Sequence, residues 1–110
     1  MTTARRVLFL CSRNRLRSPT AEKVFAAWPQ VETDSAGLAA DADTPLSVEQ
    51  LDWAKLILVM EPAHRRRLLM RYRDHLKSKR VVVLGIRDEY DFMQPELIGL
   101  PLRKVGPLLR

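Results

Sequence analysis

Three short apolar runs constrain this chain more than any other feature: VLFL at 7–10, KLILVM at 55–60 and RVVVLGI at 80–86. A strand with one wet face alternates apolar and polar residues. An uninterrupted run of four or five belongs to a strand covered on both faces, as in a parallel sheet. Parallel strands need long crossovers, usually helical, and helical patterns fill the gaps here. From Ser18, a candidate cap followed by Pro19, the residues Ala21, Val24, Phe25 and Trp28 mark one apolar face, and Pro29 stops the helix. Val31 to Ser35 reads as a further short strand, and 36–46 as a turn-rich loop. A short helical turn starts at Ser47 and runs through Gln50, Leu51 and Trp53. After the Glu61-Pro62 break, Ala63 to Leu76 reads as a basic helix with Leu68, Leu69, Tyr72 and Leu76 inward. The polar segment Arg87 to Gln94 leads to a last helix from about Pro95. Strands alternating with helices predict an α/β fold of three layers, a four-stranded parallel sheet with helices on both faces.

The length of 110 residues predicts a single domain over 1–110. No apolar run approaches a membrane span, and the basic N-terminal stretch lacks the apolar core of a signal peptide, so a cytoplasmic location is expected. The one cysteine excludes an intramolecular disulfide. His64 and His75 are eleven apart and Cys11 has no nearby partner ligand, which argues against a metal site. Nineteen basic against thirteen acidic residues give a formal charge of +6, compatible with nucleic acid, an acidic surface or a phosphorylated substrate.

The stretch VLFLCSRNRLRSPTAE, Val7 to Glu22, carries the chemistry. A strand-to-helix loop turns backbone N–H groups inward, and the helix N-terminus adds partial positive charge, which together form a cradle for a tetrahedral oxyanion. A cysteine at the base of such a cradle is favoured as the nucleophilic thiolate. Arg17 brings a planar fork able to bridge two phosphoryl oxygens. Asn14 suits a left-handed turn and a side-chain tie within the loop, and the Ser18 hydroxyl can donate to a thiolate. The alternative from these residues alone is a buried structural cysteine with arginines at the surface. In an open α/β sheet, ligands bind beyond the carboxyl ends of the strands, and Cys11, Glu61 and Asp88 each follow closely on a predicted strand.

These residues resemble the phosphate-binding loop of the low-molecular-weight protein tyrosine phosphatases, C-x-x-N-x-x-R-S-P-x-A-E, at Cys11, Asn14, Arg17, Ser18, Pro19, Ala21 and Glu22. VETDSAG resembles the family's second strand, AKLILVMEPAHRRRL its strand ending in M-D before a helix, and LGIRDEYDF its acid loop. The pattern is similar to a compact bacterial subgroup of predicted tyrosine phosphatases. The chain departs from the family at Arg13 in place of a glycine, at Leu16 in place of a second cysteine, and in a shorter stretch between Ser35 and Trp53.

The resemblance implies a flavodoxin-like fold and a phosphomonoester hydrolase, a protein tyrosine phosphatase acting through a phosphocysteine without metal or cofactor. Cys11 is then the nucleophile. Ser12, Arg13, Asn14, Arg15, Leu16, Arg17 and Ser18 form the phosphate loop, with Arg17 as its clamp. Asp88 is the expected general acid and Asp91 the alternative. Ser35, Glu61 and Tyr90 are expected to support the site, Tyr90 against an aromatic leaving group. The implied partner is a phosphorylated protein or small phosphomonoester. Two other readings stay open: an arsenate reductase drawing on an external thiol, and a weak oxyanion-binding regulatory module. The basic segment His64 to Arg80 is open between a solvated face, a nucleic-acid patch and a surface that steers anionic substrates.

Overall fold

The computed structural model describes residues 5–11, 17–26, 28, 30–39, 42, 44–77 and 79–85, with the backbone alone at 17–19. Strands β1 (Arg5–Cys11), β2 (Val31–Gly37), β3 (Leu56–Val59) and β4 (Arg80–Val83) form one parallel sheet in the order β2-β1-β3-β4. The helices are α1 (Arg17–Ala26), α2 (Val48–Trp53) and α3 (Pro62–Tyr72), the last continued by a 3-10 turn over Arg73–Leu76. Right-handed crossovers dictate the layering. The chain moves outward from β1 through α1 to β2, then back past β1 through α2 to β3, so α1 covers one face and α2 and α3 the other. The core divides accordingly. Val7, Phe9 and Cys11 pack with Ala21 and Phe25 of α1, whereas Leu8 and Leu10 pack with Leu51 of α2 and Leu68 of α3.

Both faces of β1 are dry from Val7 to Cys11, which is why its sequence runs apolar without alternation. The ladder extends two residues further toward the N-terminus than the apolar run. Arg5 and Arg6 pair with Val31 and Glu32 in an exposed part of the sheet, where Arg6 Nε meets Glu32 Oε2 at 3.9 Å. On α1, Phe25 lies against Phe9, with ring centroids 6.0 Å apart, and against Trp28 at 4.7 Å. Phe9 stands two residues before Cys11 on the same face, so this stack sets α1 at a fixed height relative to the thiol.

Other boundaries also differ from the sequence expectation, and β4 ends at Val83, short of the expected Ile86. α1 opens at Arg17, so Ser18 lies inside the first turn and is not the residue that caps it. β2 runs on to Gly37 into the expected loop, because the Leu38 N–H donates to the Cys11 carbonyl (2.9 Å) and Gly37 is bridged to Pro45. The basic helix tightens after Tyr72 into the 3-10 turn, which brings Leu76 into the core beside α2. Ile86, the segment Arg87 to Gln94 and the expected final helix lie outside the described residues. No helix among the described residues is long and apolar enough to cross a membrane.

Candidate active site at the carboxyl edge of the sheet

Sheet order places the site. The connections leave β1 in opposite directions, so the crevice between β1 and β3 is the switch point, and Cys11 ends β1 at its carboxyl edge. The thiol residue is buried, with 3% of its surface exposed, on the α1 side among Phe9, Ala21, Phe25, Met60 and Leu84. Its carbonyl accepts the Leu38 N–H, and the neighbouring Leu10 carbonyl accepts the Met60 N–H at 3.2 Å. The ends of β2 and β3 are thereby fastened to the end of β1. At the outer edge, the Leu84 N–H donates to the Val59 carbonyl at 2.8 Å. Gly85 then takes φ 71°, a left-handed turn that only glycine enters without steric cost.

From Cys11 to the start of α1 at Arg17 the chain has five residues, so a thiol at a strand end and a helix N-terminus are held close by sequence alone. Ser12, Arg13, Asn14, Arg15 and Leu16 lie outside the described residues, as do the side chains of Arg17 and Ser18 and all of Asp88, Tyr90 and Asp91. Cys11, Ser35 and Glu61 are described, and the fold brings all three to the carboxyl edge of adjacent strands. Glu61 is the N-cap residue of α3, directly after β3 and Met60.

Ser35 is buried, pairs with Phe9 in the sheet register, and donates its hydroxyl to Oε1 of Glu22 on α1. Two residues earlier on the same face, the Thr33 hydroxyl donates to the Glu22 carbonyl at 3.2 Å. β2 thus holds α1 at both the backbone and the side chain of one residue. On the other face Asp34 does the complementary work. Its Oδ1 accepts the Ser35 N–H at 2.9 Å and its Oδ2 accepts Gln50 Nε2 at 2.9 Å. Gln50 also closes a capping box with Ser47. The Gln50 N–H donates to Ser47 Oγ (3.3 Å), and the Ser47 N–H donates to Gln50 Oε1 (3.1 Å). The short crossover is therefore pinned to β2 at the N-terminus of α2.

Glu22 stands in the loop motif, but nothing in the sequence marks Glu22, Asp34, Gln50 or His64 as ties between the elements at this edge. His64 is 3% exposed at the third position of α3, and its Nδ1 accepts the Glu61 N–H at 3.2 Å. With Nδ1 accepting, the neutral ring carries its proton on Nε2. The spacing Glu61-x-x-His64, straddling a proline at the first helical position, is the signal that a polar residue was reaching back to a helix start. Among the described residues no group of three or more His, Cys, Asp or Glu is placed to hold a metal ion. Beside the end of β2 lies a cleft of about 70 Å³ lined by Gly37, Leu38, Pro45, Leu46, Arg71 and Tyr72. Arg71 closes it by donating from Nη1 to the Leu38 carbonyl at 3.2 Å.

The architecture is that of an open α/β sheet whose first strand ends in a cysteine at the switch point, and solved structures share the fold. No family model and no curated protein matches the chain. YwlE, an arginine phosphatase from Geobacillus stearothermophilus, is similar over 94% of this chain and 92% of its own, with TM-score 0.72 and 23% identity. The tyrosine phosphatase Wzb from Escherichia coli K30, in complex with phosphate, is similar over 97% of both chains, with TM-score 0.76 and 19% identity. SP-PTP, a low molecular weight protein tyrosine phosphatase from Streptococcus pyogenes, gives TM-score 0.72 and 14% identity over 96% of this chain and 91% of its own. The chain has the fold of these phosphatases.

Proposed function

We propose that this protein is a phosphomonoester hydrolase of the low-molecular-weight protein tyrosine phosphatase type, with Cys11 as its nucleophile. The observation that carries the reading is the position of its one cysteine. Cys11 ends the central strand at the switch point, five residues before a helix that opens at Arg17, in a fold shared with tyrosine and arginine phosphatases. The intervening sequence S-R-N-R-L supplies backbone donors and Asn14, and R-S-P opens the helix.

In the first step the Cys11 thiolate attacks phosphorus in line. A P–S bond forms, the bond from phosphorus to the ester oxygen breaks, and Asp88 gives that oxygen its proton. Loop amides and Arg17 hold the three equatorial oxygens while charge moves across them. In the second step Asp88 takes a proton from water, the water oxygen attacks phosphorus, and the P–S bond breaks to release inorganic phosphate. The positive field comes from Arg17 and the amides, so no metal enters either step. Ser35 and Glu22 act from behind, holding α1 against β2. Glu61 supports the same edge from β3, and Tyr90 flanks an aromatic leaving group. A thiolate nucleophile needs a reducing compartment, which fits the cytoplasm.

The test is release of inorganic phosphate from p-nitrophenyl phosphate by the purified protein in the presence of a chelator. Turnover that persists without metal supports the reading, and absence of turnover overturns it. A phosphotyrosine peptide and a phosphoarginine peptide, run in parallel, assign the substrate class.

A further inference from the structure

The exposed face of α3 is unusually rich in one chemistry. Arg65, Arg66, Arg67, Arg71 and Arg73 are all exposed on α3 and the 3-10 turn that continues it. Met70, 84% exposed, sits among them: Arg66 and Arg67 precede it by four and three residues and Arg73 follows by three, the spacings that share a helix face. Arg71 is engaged with the Leu38 carbonyl and lies 6.0 Å from the Tyr72 ring. Among the described residues, no carboxylate pairs with Arg66, Arg67 or Arg73, and the neighbouring Asp74 pairs instead with Lys77 at 3.8 Å.

We infer that this face docks an acidic stretch of the phosphorylated protein substrate, on the chain that flanks the phosphorylated residue. The inference rests on the phosphatase reading and adds a substrate preference to it. α3 begins at Glu61 on the same edge of the sheet as Cys11 and runs away from that edge on the face opposite α1, so its exposed arginines form a track open to a polypeptide that crosses the edge. At 1.5 Å per residue, Arg66 lies about 8 Å and Arg73 about 18 Å along the axis from Glu61. An extended peptide advances about 3.4 Å per residue, which matches acidic side chains roughly two to five residues from the phosphorylated one. The cations are arginines, whose forks pair with carboxylates bidentately, and Met70 offers an apolar contact between them. A single-stranded nucleic acid fits less well. It stacks its bases on exposed rings, whereas Tyr72 is half-buried against His75 and Trp53 packs on the core.

The experiment compares two phosphotyrosine peptides, one with three acidic residues at those positions and one neutral there, alongside p-nitrophenyl phosphate. Exposed ion pairs are individually weak and screened by salt. Three together are expected to raise kcat/KM about tenfold for the acidic peptide at low salt, with the advantage gone near about 0.5 M. In the triple variant Arg66→Gln, Arg67→Gln, Arg73→Gln the preference is expected to vanish while turnover of p-nitrophenyl phosphate stays at the wild-type rate. The matching triple lysine variant should keep only part of the preference. Normal p-nitrophenyl phosphate turnover with equal rates on both peptides overturns this inference alone. So does an unchanged preference in the triple glutamine variant, or loss in that variant of affinity for a DNA oligonucleotide with peptide preference intact. No wild-type turnover of p-nitrophenyl phosphate overturns the phosphatase reading, and this inference with it.

Discussion

The hydroxyl of Ser35 donates to the carboxylate of Glu22, joining β2 to α1 two residues below the carboxyl end of the strand. The donor is buried and the acceptor is charged and half-buried, a combination stronger than a neutral hydrogen bond in water. Ser35→Ala is expected to lower stability by about 1–2 kcal/mol. Glu22→Gln keeps an acceptor oxygen without the charge and is expected to lose less. Urea unfolding reads both, with the midpoint falling and the slope unchanged. Equal midpoints for both variants and the wild type would show that the pair contributes nothing.

A second tie runs from the other face of β2. Gln50→Ala removes the reciprocal cap with Ser47 and the donor to Asp34, and is expected to cost about 1–2 kcal/mol. Gln50→Glu retains the acceptor for the Ser47 N–H but sets a second carboxylate against Asp34. It should therefore be the less stable of the two at neutral pH and recover as the pH falls and the carboxylates protonate. An ordering opposite to this in thermal melts at neutral pH would contradict the assigned role of Asp34.

Strands β1 and β3 were legible because burial on both faces writes itself into sequence as unbroken apolar runs, as in Val7 to Leu10 and Leu56 to Val59. Their ends were not. Arg5, Arg6, Ala36 and Gly37 join the ladder through hydrogen bonds that a partner strand supplies, and no local pattern announces a partner. At the site, the thiol and the helix start eleven to seventeen residues into the chain are close in sequence and were readable as one loop. Ser35 and Glu22 are thirteen residues apart and meet only because β2 lies beside β1 with α1 across it. His64 was visible only as a residue without metal partners; its burial and its bond to the Glu61 N–H are consequences of tertiary packing.

Arg17→Lys replaces a planar fork at the start of α1 with a point charge. With the transition-state oxygens held by one donor fewer, kcat for p-nitrophenyl phosphate is expected to fall roughly 10²–10³-fold. Steady-state kinetics and the inhibition constant for inorganic phosphate check it together. Near-normal values for both would rule out the clamp.

The general acid matters in proportion to how poor the leaving group is. Asp88→Asn is expected to cost roughly 10²–10⁴-fold on weakly activated esters and much less on a highly activated aryl phosphate, and to remove the acid-dependent limb of the pH profile. Asp91→Asn should do neither. One series of aryl and alkyl phosphates, run on both variants, decides the matter. The reverse outcome moves the acid three residues along the chain.

The central claim is that the phosphoryl group passes through Cys11, and rapid acid quench followed by peptide mass analysis tests it directly. Wild-type protein mixed with p-nitrophenyl phosphate should show one phosphoryl group on the peptide that contains Cys11, formed within the first turnover and discharged as substrate is exhausted. Cys11→Ser should retain the fold and bind phosphate, yet turn over at a negligible rate. Phosphate release by the wild type with no phosphoryl group on that peptide, accompanied by substantial activity in Cys11→Ser, would contradict the claim.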